Sequence, residues 1–382
     1  MIFDKHTDDN VLVQLSRFDN GTEVREYHLL LSITDEGRSL TFDRQMQALI
    51  KRFEAIRKEL HASPVYKRYS LSDAANQAYE LMSYELESPY YAVSMVQQPP
   101  ANGTKIALWC YMMTGVTTKA NRSGLYEVAH GSYRHLWNGG AHIEGGNSEV
   151  QTRLLLSQYV MQLLEEGCRL ADNCVRTWFF VNDIDKNYRG VVKARNDVFL
   201  TQGMTADTHF IASTAIGGRE AKHGVLSQLD NYAVAGLRKE QVSYLYAADH
   251  LNRTSDYGVS FERGTAVDYG DRRQVFISST ASIDDKGKVL CEGDAAGQTR
   301  RIWENTEALL HEAGMTIADD IGQMIVYLRN PADYETVYSL FQKQYPTIPT
   351  LFVHAAGCRQ GALIEMECMG VKKHHDTSLP AF

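Results

Sequence analysis

The chain has 382 residues, 44% of them hydrophobic and 23% charged, with a net charge of −8. This is the balance of a globular protein with more than one core; the acidic excess argues against a nucleic-acid surface, and no apolar run reaches membrane-spanning length. Six cysteines without a Cys-x-x-Cys pair, and a start (Met1-Ile2-Phe3-Asp4-Lys5) without a basic segment leading into an apolar one, point to a reduced, cytoplasmic protein.

In chain order, the first element is a long helix over 42–60, whose apolar face is Phe42, Met46, Leu49, Ile50, Phe53, Ile56 and Leu60. A strand over 65–71, a short helix over 74–82 and strands over 90–96 and 105–112 follow, with the turn Pro99-Pro100-Ala101-Asn102-Gly103 between the last two. The glycine-rich stretch 138–146 (Asn-Gly-Gly-Ala-His-Ile-Glu-Gly-Gly) reads as a connector, or a lid over a cleft, and lacks the lysine of a nucleotide-binding loop. Next come a helix over 151–166, a strand over 175–181, a helix over 188–200, and strands over 209–216 and 225–235. The last third begins with a strand over 274–283. A helix over 300–313, ended by Gly314, leads to a strand over 321–328. Asn330-Pro331-Ala332-Asp333 opens a second helix with the apolar face Tyr334, Val337, Tyr338 and Phe341. Strands over 350–355 and 362–371 close the chain.

The order of strands, helix, strand, helix and strands therefore occurs three times. The last two copies also share residues: at a constant offset of 147, Gln151-Thr152-Arg153, Leu163, Glu165, Gly167 and Ala171-Asp172 recur as Gln298-Thr299-Arg300, Leu310, Glu312, Gly314 and Ala318-Asp319. Chance gives roughly one or two such identities in a window of this length. The expected domains are 1–115, degenerate, then 116–240 and 241–382. The alternative is two related domains behind an unrelated N-terminal one.

The third copy resembles the Rid (YjgF, endoribonuclease L-PSP) superfamily through Gln298-Thr299, Leu309-Leu310-His311-Glu312-Ala313-Gly314 and Gly361-Ala362-Leu363-Ile364-Glu365-Met366-Glu367. The second copy resembles it through Gln151-Thr152, Leu163 to Gly167 and Phe179-Phe180-Val181-Asn182-Asp183. The resemblance implies an α+β fold of tandem chorismate-mutase-like domains, each a mixed sheet with two helices on one face. Three in one chain would form a pseudo-trimer with small-molecule clefts between units, needing no further oligomer. A narrower resemblance, to chorismatases, rests on Phe261-Glu262-Arg263, Ser278 to Ile283, Gly293-Asp294, Val326-Tyr327-Leu328-Arg329 and Cys358-Arg359 running into Leu363-Ile364-Glu365. It implies hydrolysis of chorismate to pyruvate and a ring acid, with Glu365 as catalytic acid, Arg359 as carboxylate-binding arginine and Cys358 as a pocket residue that influences the product. Two departures stand out. Ser279 replaces the usual glycine of a Ser-Gly-Thr turn, and Gly357 stands where Rid imine deaminases carry their substrate-binding arginine, which argues against deamination.

The residues support the same cleft on their own chemistry. Along the last strand Leu363, Glu365, Glu367 and Met369 share one face, with the two carboxylates roughly 6–7 Å apart. Burial and Glu367 are expected to raise the pKa of Glu365, making it a proton donor to a vinyl ether. A substrate with two carboxylates calls for more cations: Arg263 and Arg329 from the third copy and Arg195 from the second, with Glu367 in the same cleft. The plain alternative is a solvated strand face with ordinary charges. Aligning Gly224 with Gly361 sets Gln228 opposite Glu365 and Asp230 opposite Glu367, so only one copy carries the acid. No cofactor is implied, and His374-His375 lack a third metal ligand at a known spacing. The competing readings are a non-catalytic metabolite binder and, less favoured, a Rid-type deaminase or endoribonuclease.

Overall fold

The computed structural model describes residues 1–85 and 90–382. Its first unit runs β1 (Ile2–Asp8), β2 (Val11–Phe18), β3 (Glu26–Ile33), α1 (Phe42–Leu60), β4 (Ser63–Leu71), α2 (Ala74–Glu85), β5 (Ala92–Gln97) and β6 (Ile106–Met113). The second runs β7 (Thr117–Ala120), β8 (Tyr126–His130), β9 (Tyr133–His142), α3 (Ser148–Glu165), α4 (Leu170–Asn173), β10 (Cys174–Val181), α5 (Ile184–Thr201), β11 (Ala212–Gly217) and β12 (Ser227–Ala235). The third runs β13 (Val242–Leu245), β14 (Gly264–Asp268), β15 (Arg272–Ala281), α6 (Ala295–Glu312), α7 (Ile317–Asp320), β16 (Ile321–Leu328), α8 (Tyr334–Gln344), β17 (Thr350–His354) and β18 (Ile364–Lys373).

Each unit is one six-stranded sheet, and the three strand orders are the same: β1-β2-β3-β6-β4-β5, β7-β8-β9-β12-β10-β11 and β13-β14-β15-β18-β16-β17. In each, the strand–helix–strand crossover makes the fourth and fifth strands parallel, as in β4 with β5, β10 with β11 and β16 with β17. The other pairings are antiparallel, so the sheets are mixed. Residues 1–115 therefore have the topology of the other two units rather than an unrelated one.

The long helices form because an apolar face repeats at helical spacing and a cap satisfies the free N–H groups at the start. Thr41, Asn147 and Asp294 cap α1, α3 and α6, accepting from Arg44, Val150 and Gly297. Each helix pair covers one face of its own sheet, giving three separate helix–sheet cores. The opposite faces meet in a fourth core drawn from all three units and made almost wholly of strand residues, with Trp109, Tyr66, Trp137, Trp178, Tyr232, Phe276 and Tyr327 among them. Backbone hydrogen bonds stitch the units together: Gln97 N to Arg219 O (2.8 Å), Ala101 N to Phe352 O (2.9 Å), Gly217 N to Ala356 O (2.8 Å) and Glu262 N to Ile211 O (3.0 Å). Among the described residues no helix is long and apolar enough to cross a membrane.

One expectation is corrected here. Asn138 to His142 belong to β9 and not to a connector or lid. A side chain at Gly139 would run into the backbone of Val93 in the first unit. The glycines thus mark a strand that passes close to a neighbouring backbone, and Gly140 N donates to Asp230 (2.6 Å).

Candidate active site between the second and third units

β18 alternates as a strand must. Ile364, Met366 and Cys368 pack into the helix-side core of the third unit, and Glu365 and Glu367 face the other way. Glu365 pairs in register with Tyr327 of β16 and Ala281 of β15. Beside it the β15–β18 ladder slips between Ile277 and Thr280, a bulge that re-aims the bulged side chain. The Ser279 hydroxyl donates to Glu365 Oε2 at 2.5 Å. The serine that departs from the family pattern is thus a direct partner of the acid, a role its sequence did not reveal.

The turn before β18 supplies the next groups. Ile216 of β11 bridges to Gly357, so this turn is pinned to the second unit. A Cβ at Gly357 would collide with the Glu365 carboxylate; any side chain there is incompatible with the acid in its observed position. Gly361, at φ +81°, needs glycine for its left-handed backbone. Between them, Cys358 and Arg359 line the cavity. Burial, with Glu365 close by, pushes the Cys358 thiol up to about 11, so it stays protonated at neutral pH.

α5 of the second unit supplies Tyr188 and Arg195, seven residues apart on one helix face, and β11 supplies Ser213 and Ala215. The loop before β14 adds Tyr257, Phe261 and Arg263. Aromatic rings separate the three guanidiniums. Phe261 lies 5.6 Å from Arg195 and 5.4 Å from Arg263, and Tyr257 lies 5.0 Å from Arg359 and 5.9 Å from Arg263. Arg359 also donates to the Gly287 carbonyl. The cavity measures about 480 Å³ counted to its open mouth.

Two features give this cleft its chemistry. Glu365 is buried, and burial raises its pKa above the usual carboxylate range; the Ser279 hydrogen bond and the charges of Arg359, Arg263 and Arg329 oppose the rise without cancelling it. Arg195 is 1% exposed, yet its Nε and one Nη have no hydrogen-bond partner among the described residues, and neither has Arg263 Nε. Orphaned guanidinium N–H groups beside a cavity are a costly arrangement that an anionic ligand relieves.

Of the residues expected in the cleft, Glu365, Cys358, Arg359, Arg263 and Arg195 line one cavity. Two do not. Arg329 grips Asp185 (3.1 Å) and the Gly357 carbonyl (2.6 Å), bracing the turn behind the cavity wall. Glu367 lies in the central core, bonded to Arg176 (2.6 Å), Arg68 (3.1 Å), Trp178 Nε1 (3.0 Å) and Thr214 (2.5 Å). Burial is the largest influence and would raise its pKa, but Arg176, Arg68 and the hydroxyls of Thr214 and Tyr327 together outweigh it and hold the carboxyl below its ordinary value. The expected push of Glu367 on Glu365 is therefore corrected: burial alone lifts Glu365, because the charge of Glu367 is already neutralised. Tyr188 and Tyr257 were not singled out from sequence, and Ser279 was noted only as a departure from the family's glycine. The i, i+7 spacing of Tyr188 and Arg195 is the one signal that could have linked a cavity phenol to the expected arginine.

Comparison with known proteins fits this geometry. Residues 265–372 match the family model described as Endoribonuclease L-PSP. A RutC family protein of Pyrococcus abyssi is 28% identical over 101 residues, 26% of this chain and 79% of that protein. The 3-aminoacrylate deaminase RutC of Acinetobacter baylyi is 31% identical over 72 residues, 19% of this chain and 56% of that protein. Among solved structures, a chorismatase superposes with a TM-score of 0.63 at 18% identity, covering 81% of this chain and 93% of its own. The C-terminal unit is thus a Rid-type domain, and the chain has the fold of a chorismatase.

Proposed function

We propose that this chain, with its Rid-type C-terminal unit and chorismatase fold, hydrolyses the enolpyruvyl ether of a cyclic dicarboxylate, in its most concrete form chorismate, to pyruvate and a ring acid. The observation that carries the reading is Glu365, a buried carboxyl with a raised pKa beside guanidiniums whose N–H groups lack partners.

In this scheme Arg195, Arg263 and Arg359 hold the substrate carboxylates, and their charge also draws the anion into the cleft. Glu365 enters in its acid form and gives its proton to the terminal methylene carbon of the vinyl ether, which becomes a methyl group. Positive charge develops on the ether-bearing carbon, and the carboxylate left behind lies close enough to stabilise it. Water adds to that carbon and returns a proton to Glu365. The resulting hemiketal collapses to the keto group of pyruvate and a hydroxyl on the ring. One water is consumed and the acid is regenerated. Ser279 keeps Glu365 oriented throughout.

Gly357 supports this reading over imine deamination. The deaminase resemblance calls for an arginine at this position, where this chain has glycine, and with any side chain there the Glu365 carboxylate would have to swing out of its observed position. The test is incubation of purified protein with chorismate and an assay for pyruvate, with Glu365→Gln as control. Release of pyruvate that the variant abolishes supports the proposal. Binding of chorismate without pyruvate would leave the chain a non-catalytic carboxylate binder.

A further inference from the structure

The long helices of the three units cover the same face of their sheets but turn different surfaces to solvent. On α3, Val150, Leu154, Met161 and Leu164 are 44%, 48%, 59% and 53% exposed. With the exposed Ser157 they succeed one another at intervals of four, three, four and three residues, the spacing of a helix–helix seam. The repeat puts Gly297, Arg301, Glu304, Ala308 and His311 of α6 at the same positions, and α1 exposes Arg44, Lys51, Ala55 and Lys58. The stripe is therefore not a requirement of the fold; among the described residues, the long helices of the other two units lack it. It continues onto α5. Lys193 and Asp197 bond to Glu149 (2.8 Å) and Arg153 (2.6 Å), and the next residue in that helical row, Leu200, is 65% exposed.

We propose that two copies of this chain associate through this stripe, about a twofold axis passing through Ser157. The pattern reads nearly the same in both directions from that residue. In an antiparallel pair of α3 helices, Val150 meets Leu164 of the second copy, Leu154 meets Met161, and Ser157 meets Ser157. A twofold contact must be self-complementary in this way, and a small residue at the crossing point lets two helices approach closely. Glu149 would face Glu165 of the second copy, but Arg153 and Lys193 already neutralise it. The exposed apolar side chains amount to an area on the order of 400 Å² per copy, more than an isolated surface residue or two. Two copies together would bring about 800 Å² of apolar surface toward the ~1,200 Å² of a specific interface, the remainder falling to the polar margins.

Sedimentation equilibrium or light scattering on the full chain tests this. The expected result is a mass twice 43.1 kDa at micromolar concentration. Met161→Glu should weaken association by roughly two orders of magnitude, and Ala55→Glu on α1 should not change it. Circular dichroism checks that each variant remains folded. The geometry has its own readout: Ser157→Cys, with the exposed Cys291 changed to serine, should cross-link copies in high yield under mild oxidation. A monomer throughout the micromolar range, or a dimer indifferent to Met161→Glu, would overturn the proposal.

Discussion

Glu365 and Glu367 lie two residues apart on one strand, on the same face, and both are buried. Their environments push them in opposite directions. Glu365 opens on a cavity, has one short hydrogen bond from a neutral hydroxyl, and has its pKa raised by burial. Glu367 lies one strand repeat deeper, where Arg176 and Arg68 contact it directly and hold it ionised. Burial does not decide the charge of a carboxyl; what decides is whether a cation touches it in the same low-dielectric space. The two therefore suit different work, one as a proton donor and the other as an anchor between units.

Exchanging the roles gives the largest expected effects. Glu365→Gln keeps the size and removes the proton; pyruvate release should fall by ~10³-fold or more, with the circular dichroism spectrum and ligand binding retained. Glu367→Ala should act the other way. It leaves two guanidiniums buried without their acid, at a cost of about 3–5 kcal/mol, read as a lower midpoint in urea unfolding. If Glu367→Ala left stability intact and abolished turnover, the assignment of the two acids would have to be reversed.

A smaller effect is expected at the mouth of the cleft. Arg359→Lys keeps the charge but loses the fork that can grip a carboxylate by two bonds. Affinity for a carboxylate ligand should drop by ~1–3 kcal/mol in calorimetry, with stability little changed. Unaltered affinity would make Arg359 a structural turn residue tied to Gly287. The smallest effect concerns pH. A carboxyl whose pKa is higher folded than unfolded keeps its proton longer in the folded state, so the protein loses stability as pH rises through the interval between the two values. Glu365→Gln lacks this loss. The variant should therefore melt a few degrees above the parent at neutral pH, and the gap should close in acid below the ordinary glutamate pKa of 4.5. A gap that stayed constant with pH would mean that folding leaves the Glu365 pKa unshifted.

What the sequence revealed follows the reach of local rules. The helix over 42–60 emerges with its observed bounds because its apolar face repeats without interruption and Thr41 caps it. The face of β18 was legible because alternation is a property of any strand, and with it the meeting of Glu365 and Arg359. By contrast β1 carries little alternation, since nearly all of its residues are solvated; it is held by pairing with β2 rather than by burial of its own. The fate of Glu367 could not be read at all. Its partners Arg68 and Arg176 come from other units, 299 and 191 residues away, and only the packing of three sheets brings them together. Gly139 was misread for the same reason: the backbone it accommodates belongs to another unit.

Arg68 sends one arm to Glu367 of the third unit, and its Nε lies 3.7 Å from Asp230 of the second. In an assembly of three identical chains, such a residue would be present three times around the centre, crowding like charges together and demanding three matching sets of acids. Fusion into one polypeptide lifts that obligation. One arginine can serve two neighbours because nothing has to be repeated, and one strand can turn a buried carboxyl to a cavity without its counterparts doing the same. Joining the units end to end thus allows unequal roles among equal folds, and it also ties them together. Once the first unit supplies the only copy of a shared charge, none of the three can be replaced by either of the others.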